Sequence, residues 1–371
     1  MPVSELLEFF RIPRKPINAF IGLDGFVDEI VHVIRKRYDA ENYERITTMV
    51  EYGNKIANAS GLSLNVEIDT IQKKAGGNGP IFALGMMKYG ADVTYLGCTG
   101  KDAPDPVFSE LDNGAEIIGI SDPAYTDAME FEDGKIIRGK HSVIIRLSWE
   151  MITDKVPPEQ LAAYMDKADL IGFNNWTMIL SMNKIWKNFL DDVIPAMHEK
   201  PSGKVMFFDL ADPEKREDSQ ILEALELMKQ FKAKGFETVL GLNRKEACEI
   251  CSIIKGSKID FKAIELKVLC EMLSEYMDID CVVVHPVENA ACMKDGQYYS
   301  VDGPYCAKPV LSTGAGDNFN SGFMYGYVNR LGMEDCLLLG VASSGFYVRN
   351  GRSANLEEIS EFIKQWSTGL L

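Results

Sequence analysis

The chain has 371 residues, 46% of them hydrophobic, and a formal charge of −16 with a pI near 4.8. That is enough apolar material for a substantial core and more than one average domain. The negative charge argues against a surface built for nucleic acid or an anionic membrane, which it would repel, and favours a small-molecule ligand.

In chain order, Met1 to Phe10 carries Glu5 and Glu8 and lacks a basic start before a long apolar run, so it does not read as a secretion signal. No stretch approaches about 18 uninterrupted apolar residues, and the chain is expected to be soluble and cytoplasmic. Short β-rich runs then alternate with helical ones, which predicts an α/β layered fold around a mainly parallel sheet. The predicted strands are 17–22, 92–98, 170–173, 204–210, 238–242 and 281–285. Between them 79–89, 184–198, 215–230 and 261–276 have helical spacing, with Ser181 and Asp260 as N-caps. After Asp317 the chain turns mostly helical, with further helices at 334–348 and 356–366.

Two stretches break the alternation. Residues 29–75 separate the first strand from Gly76-Gly77, and Thr, Val and Ile around 64–71 predict strands off the main sheet. A second excursion covers about 120–147, where 129–132 and 135–138 flank Asp133-Gly134, the strongest short hairpin signal. Ligands of open α/β sheets bind at the carboxyl ends of strands, so the two insertions could pair into a small β lid that excludes water. Either could instead be a subunit contact or an unrelated excursion.

Eight cysteines are present. Cys248 and Cys251 have C-x-x-C spacing, but no second pair or histidine completes a zinc set. Cys98, Cys281 and Cys336 lie in apolar segments and read as small core residues.

The most informative run is Leu311-Ser312-Thr313-Gly314-Ala315-Gly316-Asp317. Phe319, Phe323 and Tyr327 recur at helical spacing, so 316–330 reads as a helix with one buried stripe and the glycines lie in its first turn. Backbone N–H groups without side chains can approach an anion closely there, and the helix dipole favours negative charge. Asp317 does not bind phosphate but could take a proton from an attacking alcohol. As a helix-start carboxylate it is expected to be a weak base. Read locally, Gly-Ala-Gly is a tight turn and Asp317 a dipole partner. Asn243 and Glu246 likewise read as a capping box on their own.

This run resembles the signature of the ribokinase-like (PfkB) carbohydrate kinases, and 22–28, Gly76-Gly77-Asn78, 209–216 and 243–246 resemble other landmarks of that family in the same order. The resemblance implies a ribokinase-like three-layer α/β/α fold, a single domain over 1–371 with lid insertions, and an ATP-dependent kinase acting on a hydroxyl of a sugar or sugar-like molecule. Asp317 is then the general base, and Gly314, Ala315 and Gly316 form the anion hole. Asn243 and Glu246 match the N-x-x-E motif that organises Mg²⁺, with Glu246 reaching the ion through water, while Thr313 and Asp209 lie near the nucleotide phosphates. Asp28 matches the acid that holds sugar hydroxyls, with Asp24 as the alternative register, and Gly76, Gly77 and Asn78 match the glycine pair that lets the backbone meet the sugar.

Three positions depart from the pattern. Leu311 replaces an acid that helps bind an activating monovalent cation, so potassium dependence does not carry over. Ile81 replaces a sugar-contacting Asn. The segment from His285 to Ala290 replaces a Gly-containing nucleotide loop. These departures leave open a non-catalytic ligand-binding or regulatory protein of the same fold. A nucleoside acceptor is a second alternative, with Trp149 or Trp176 stacking on a base unless, as is commoner, they are core. No G-x-x-x-x-G-K-[ST] occurs, which sets aside a P-loop kinase. Pairing of two copies through the lid is what the family likeness implies for assembly.

Overall fold

The computed structural model describes residues 4–12 and 14–371. The first three residues of the N-terminal stretch considered above lie outside that range. Among the described residues, fourteen strands form two sheets. The larger contains β1 (Asn18–Leu23), β5 (Asp92–Gly97), β6 (Ala115–Gly119), β9 (Leu170–Phe173), β10 (Val205–Asp209), β11 (Glu237–Leu242), β12 (Cys281–Val284), β13 (Asn289–Lys294) and β14 (Gln297–Asp302). Their spatial order is β14-β13-β12-β11-β10-β9-β1-β5-β6. All neighbours run parallel except along the β12-β13-β14 edge.

The six predicted strands are all present, their ends displaced by no more than a residue. They alternate between two cores, as a strand covered on both faces must. In β10, Val205 and Phe207 face the core built with the helices Asn78–Lys88, Ala315–Val328 and Met333–Asn350. Met206 and Phe208 face the core built with Pro158–Lys167, Met182–Asn188, Asp218–Ala233 and Leu266–Met277. The three-layer α/β/α arrangement follows directly. No described helix is long and apolar enough to cross a membrane.

Helix boundaries moved where local chemistry overrode periodicity. The expected 184–198 helix is α-helical only over Met182–Asn188, then loosens into a π turn at Phe189–Val193 and a 3₁₀ turn at Ile194–Ala196. Pro195 has no N–H to continue the α ladder. Ser181 occupies the N-cap position, but its hydroxyl donates to the Leu147 carbonyl and caps nothing. Asp260 is not a helix cap either. It accepts from Lys262 N–H at 2.9 Å in a preceding turn, and the helix starts at Leu266 after Glu265. The 215–230 helix begins instead at Asp218, because Pro213–Lys215 forms its own short turn.

The smaller sheet is the expected lid. It holds β2 (Phe26–Arg37), β3 (Tyr43–Arg45), β4 (Ile68–Gly76), β7 (Ala124–Phe131) and β8 (Gly134–Lys140). β2 lies between β4, antiparallel, and β7, parallel, so the two insertions do pair. A helix not foreseen, Met49–Asn58, closes one face over a small core of Val31, Val33, Ile46, Tyr52, Met129 and Phe131. Its Thr48 hydroxyl caps Glu51 N–H at 3.1 Å. The hairpin turn is Glu132-Asp133, one residue earlier than read, because Phe131 pairs with Gly134.

Candidate active site

The sheet changes direction at β1. From there the chain builds β5 and β6 on one side and β9 to β12 on the other, so the carboxyl ends of β1 and β9 meet at a topological switch point, where such folds bind ligands. Asp24 follows β1, Asn175 follows β9, Asp209 ends β10, Asn243 follows β11 and His285 follows β12.

Two cavities open on this edge. The first, about 220 Å³, lies under the lid and is lined by Asp28, Lys74, Gly77, Asn78, Thr126, His141 and Asn175, with Phe26, Ile137 and Met178 as apolar walls. The second, about 320 Å³, lies between His285, Asn243, Pro304 and the Met333–Asn350 helix, and reaches Ser344 and Gly345. The loop 311–316 is the partition. Leu311 and Thr313 line the first cavity, while Ser312, Ala315 and Gly316 line the second.

Gly314 sits at the N-cap of the Ala315–Val328 helix with φ 94°. A Cβ there would lie 2.7 Å from the Tyr347 hydroxyl, which donates to Thr313 C=O at 2.8 Å and fixes the loop. Asp317 is buried in the first turn and accepts from Asn78 Nδ2 at 2.9 Å. Asn78 therefore joins the first cavity to Asp317. The expectation of a weak base is overturned: burial, and next the charge of Asp209, push the Asp317 carboxyl well above the ordinary range.

The two N-terminal acids occupy different places. Asp28 does not end the first strand; it is the third residue of β2 and lines the first cavity. Burial raises its carboxyl, opposed by Lys74 and by the Thr126 hydroxyl. Asp24 does not line that cavity. It is fully buried, and its oxygens accept from Asn175 Nδ2 at 2.7 Å, Gly79 N–H at 2.9 Å and Asn78 N–H at 3.0 Å. Burial still pushes its pKa up to about 6. The glycines seat these acids. A Cβ on Gly76 would lie 2.4 Å from Asp28 Oδ2, and one on Gly77 2.8 Å from Asp24 Oδ2.

Behind the partition, Asn243 and Glu246 make a reciprocal capping box, with Asn243 Oδ1 accepting from Glu246 N–H at 3.0 Å and Glu246 Oε2 from Asn243 N–H at 2.8 Å. Glu246 Oε1 also accepts from Asp212 N–H at 2.9 Å. Asp209 accepts from Asn320 Nδ2 at 2.9 Å, and burial and then the Glu246 charge raise it strongly. Asn320 Oδ1 is buried with no partner. Mutually repelling acids with a spare amide oxygen are hard donors that fit Mg²⁺ held largely through water. No three described His, Cys, Asp or Glu side chains converge into a ligand cage. His285 is half-buried, its ring stacked on Phe319 at 4.6 Å between centroids, and desolvation lowers its pKa to about 4, so the second cavity presents a neutral imidazole.

Some residues take other work. Arg216 points away from the phosphate-facing loop: its guanidinium is buried over the Trp176 ring and donates to the carbonyls of Trp176, Thr177, Ile179 and Leu180. Trp149 and Trp176 belong to the core and line neither cavity, which removes them as stacking platforms. Cys248 and Cys251 are free and buried on the Arg244–Lys255 helix. Sequence reasoning missed Asn175 and Lys74, as well as Tyr95, whose hydroxyl donates to the Asp24 carbonyl at 2.7 Å, and Lys135, which lines the first cavity. The Asn174-Asn175 pair directly after a strand was the available signal for the first; nothing local marks the lysines.

Comparison with known proteins agrees with this geometry. A family model for prokaryotic ketohexokinase matches residues 11–366. The ketohexokinase of Haloferax volcanii is 24% identical over 347 residues, 93% of this chain and 90% of that one. Among solved structures, Thermotoga maritima ribokinase aligns with a TM-score of 0.61 at 15% identity, over 94% of this chain and 100% of that one. An Arabidopsis thaliana ribokinase complexed with ribose and ATP aligns at 0.61 and 16%, over 95% and 99%. The two structural likenesses establish the ribokinase-like fold. The chain belongs to the prokaryotic ketohexokinase family and is an ATP-dependent sugar kinase.

Proposed function

We propose that this kinase transfers the γ-phosphoryl group of ATP to a hydroxyl of a ketohexose, with the sugar under the lid and the nucleotide in the cavity on the far side of the 311–316 loop. The observation that carries this is the partition: one loop faces both cavities, and Asn78 ties the sugar side to Asp317 at 2.9 Å. Asp28, Asn78, Thr126 and Asn175 offer acceptors and donors suited to hydroxyl pairs, and a site built that way rejects analogues that leave its groups unpaired. The assignment of a ketohexose rests on the family and on the Haloferax volcanii relative.

Asp317 takes the hydroxyl proton as the sugar oxygen attacks. Its raised basicity matches that task better than an ordinary carboxylate, because a base works best when its pKa approaches the working pH. The backbone N–H groups after Gly314 face the charge that develops on the phosphoryl oxygens. Asp24 positions both Asn78 and Asn175 from below. Asn243, Glu246 and Asp209 would hold Mg²⁺ through water, and the ion would neutralise phosphate charge. ATP places the reaction in the cytoplasm.

Asp317→Asn tests the reading. It should lower kcat about 10²- to 10⁴-fold while leaving sugar and ATP binding intact by calorimetry. Full turnover in the variant, or acceptor-independent ATP consumption by the native enzyme across ketohexoses and other sugars, would remove the assignment.

A further inference from the structure

The tip of the lid hairpin closes over the first cavity, and Lys135 and Thr313 are both part of its lining. Its turn is pinned by the 47–49 segment: Met49 N–H donates to Asp133 Oδ1 at 2.7 Å and Glu132 N–H to Thr47 C=O at 2.8 Å. β8 begins at Gly134, and its second residue, Lys135, sends Nζ to Thr313 Oγ1 at 3.3 Å across 178 positions of sequence. A cation carried by the lid is thus delivered to the loop that separates the two cavities, one residue from Gly314.

Chemistry gives that cation a task. The site brings polyphosphate charge against Asp317, Asp28 and Asp209 in a chain of net charge −16. Phosphoryl transfer depends on charge aimed at the equatorial oxygens. The contact with Thr313 is exposed, and 3.3 Å lies at or beyond the long end of hydrogen-bond distances, so exchanging it loses little. By contrast the turn beneath it is held by two short bonds, which keeps Nζ aimed.

We propose that Lys135 is a catalytic residue: it leaves the Thr313 hydroxyl for the non-bridging oxygens of the γ-phosphoryl group as that group passes the 311–316 loop. This rests on the placement of ATP and Asp317 given above. The sugar oxygen forms its bond to phosphorus, the bond from phosphorus to the β–γ bridging oxygen breaks, and its electron pair leaves with ADP. The hydroxyl proton goes to Asp317. Lys135 keeps its own proton and supplies charge alone.

The test measures Lys135→Met and Lys135→Arg beside Asp317→Asn, reading kcat, sugar KM, and the dissociation constants of ATP and ADP by calorimetry. Lys135→Met should lower kcat about 10²- to 10³-fold with sugar KM little changed. It should also erode the preference for ATP over ADP about ten- to hundredfold, and Lys135→Arg should restore most of both. An unchanged ATP-to-ADP ratio, or a rise in sugar KM at native kcat, overturns the proposal and leaves the lysine a lid tether. If Asp317→Asn is inactive while Lys135→Met behaves as native, only the lysine assignment falls. If Asp317→Asn retains turnover, the underlying site reading falls first. Lys135 is exposed, so both variants are expected to fold, and a thermal melt within a few degrees of the native protein is the check.

Discussion

Removing one amide from the bridge between the cavities should move the pH dependence of catalysis in a calculable direction. Asn78 donates to Asp317 Oδ1 at 2.9 Å and so favours the ionised carboxylate, against burial and the charge of Asp209. A hydrogen bond to a charged group is worth about 1.5–3 kcal/mol. Asn78→Ala deletes that term and leaves the backbone N–H that Asp24 accepts untouched. The base then protonates more readily, and the acid limb of kcat/KM moves toward higher pH. Well down that limb the variant should lose about ten- to 150-fold more activity than it loses on the plateau. The assay is kcat/KM against pH with a saturating nucleotide, which reports groups of the sugar-free enzyme. A uniform loss at every pH, with the acid limb in its native position, would show that Asn78 only binds sugar and that Asp317 is not the group titrating.

Two further outcomes follow from buried charges. Asp24 has a folded pKa raised from 3.8 to about 6, so its contribution is fully present below pH 3.8 and is lost as pH rises through about 6, an effect of about 3 kcal/mol. Urea titrations of native protein and Asp24→Asn at several pH values should show the native protein losing that much relative to the variant between pH 4 and 7; a constant difference refutes the burial argument. Arg216→Leu strands the carbonyls of Trp176, Thr177, Ile179 and Leu180, and should destabilise by about 1–3 kcal/mol for each carbonyl that finds no new partner. Because this loop carries Asn175, sugar KM should also rise, whereas an unchanged KM would uncouple the clamp from the pocket.

Much of the main sheet was legible because its strands are short apolar runs, and burial on both faces leaves little else they can be. The Ala315–Val328 helix and its glycine turn were legible for a local reason too, since Gly314 needs a positive φ that few residues adopt. What escaped was set by distance in sequence. Whether Asp24 or Asp28 faces the pocket depends on where β1 stops and β2 starts, and both acids sit within the five residues 24–28. The upward push on the Asp317 carboxyl comes from burial and then from the charge of Asp209, neither visible from its own turn. Lys135 matters only because β7 and β8 bring it beside Thr313. The 184–198 helix failed for a nearer cause, Pro195, which the periodicity outvoted.

The 311–316 loop divides its labour by alternation, with Leu311 and Thr313 turned to one chamber and Ser312, Ala315 and Gly316 to the other. Apart from that loop, the first chamber takes its lining from residues 26–178 and the second from residues 243–348. On the proposed reading, substitutions on β2, β4 and β7 that spare Lys135 and Asn78 would retune which sugar is accepted while leaving the phosphate side of the partition unaltered.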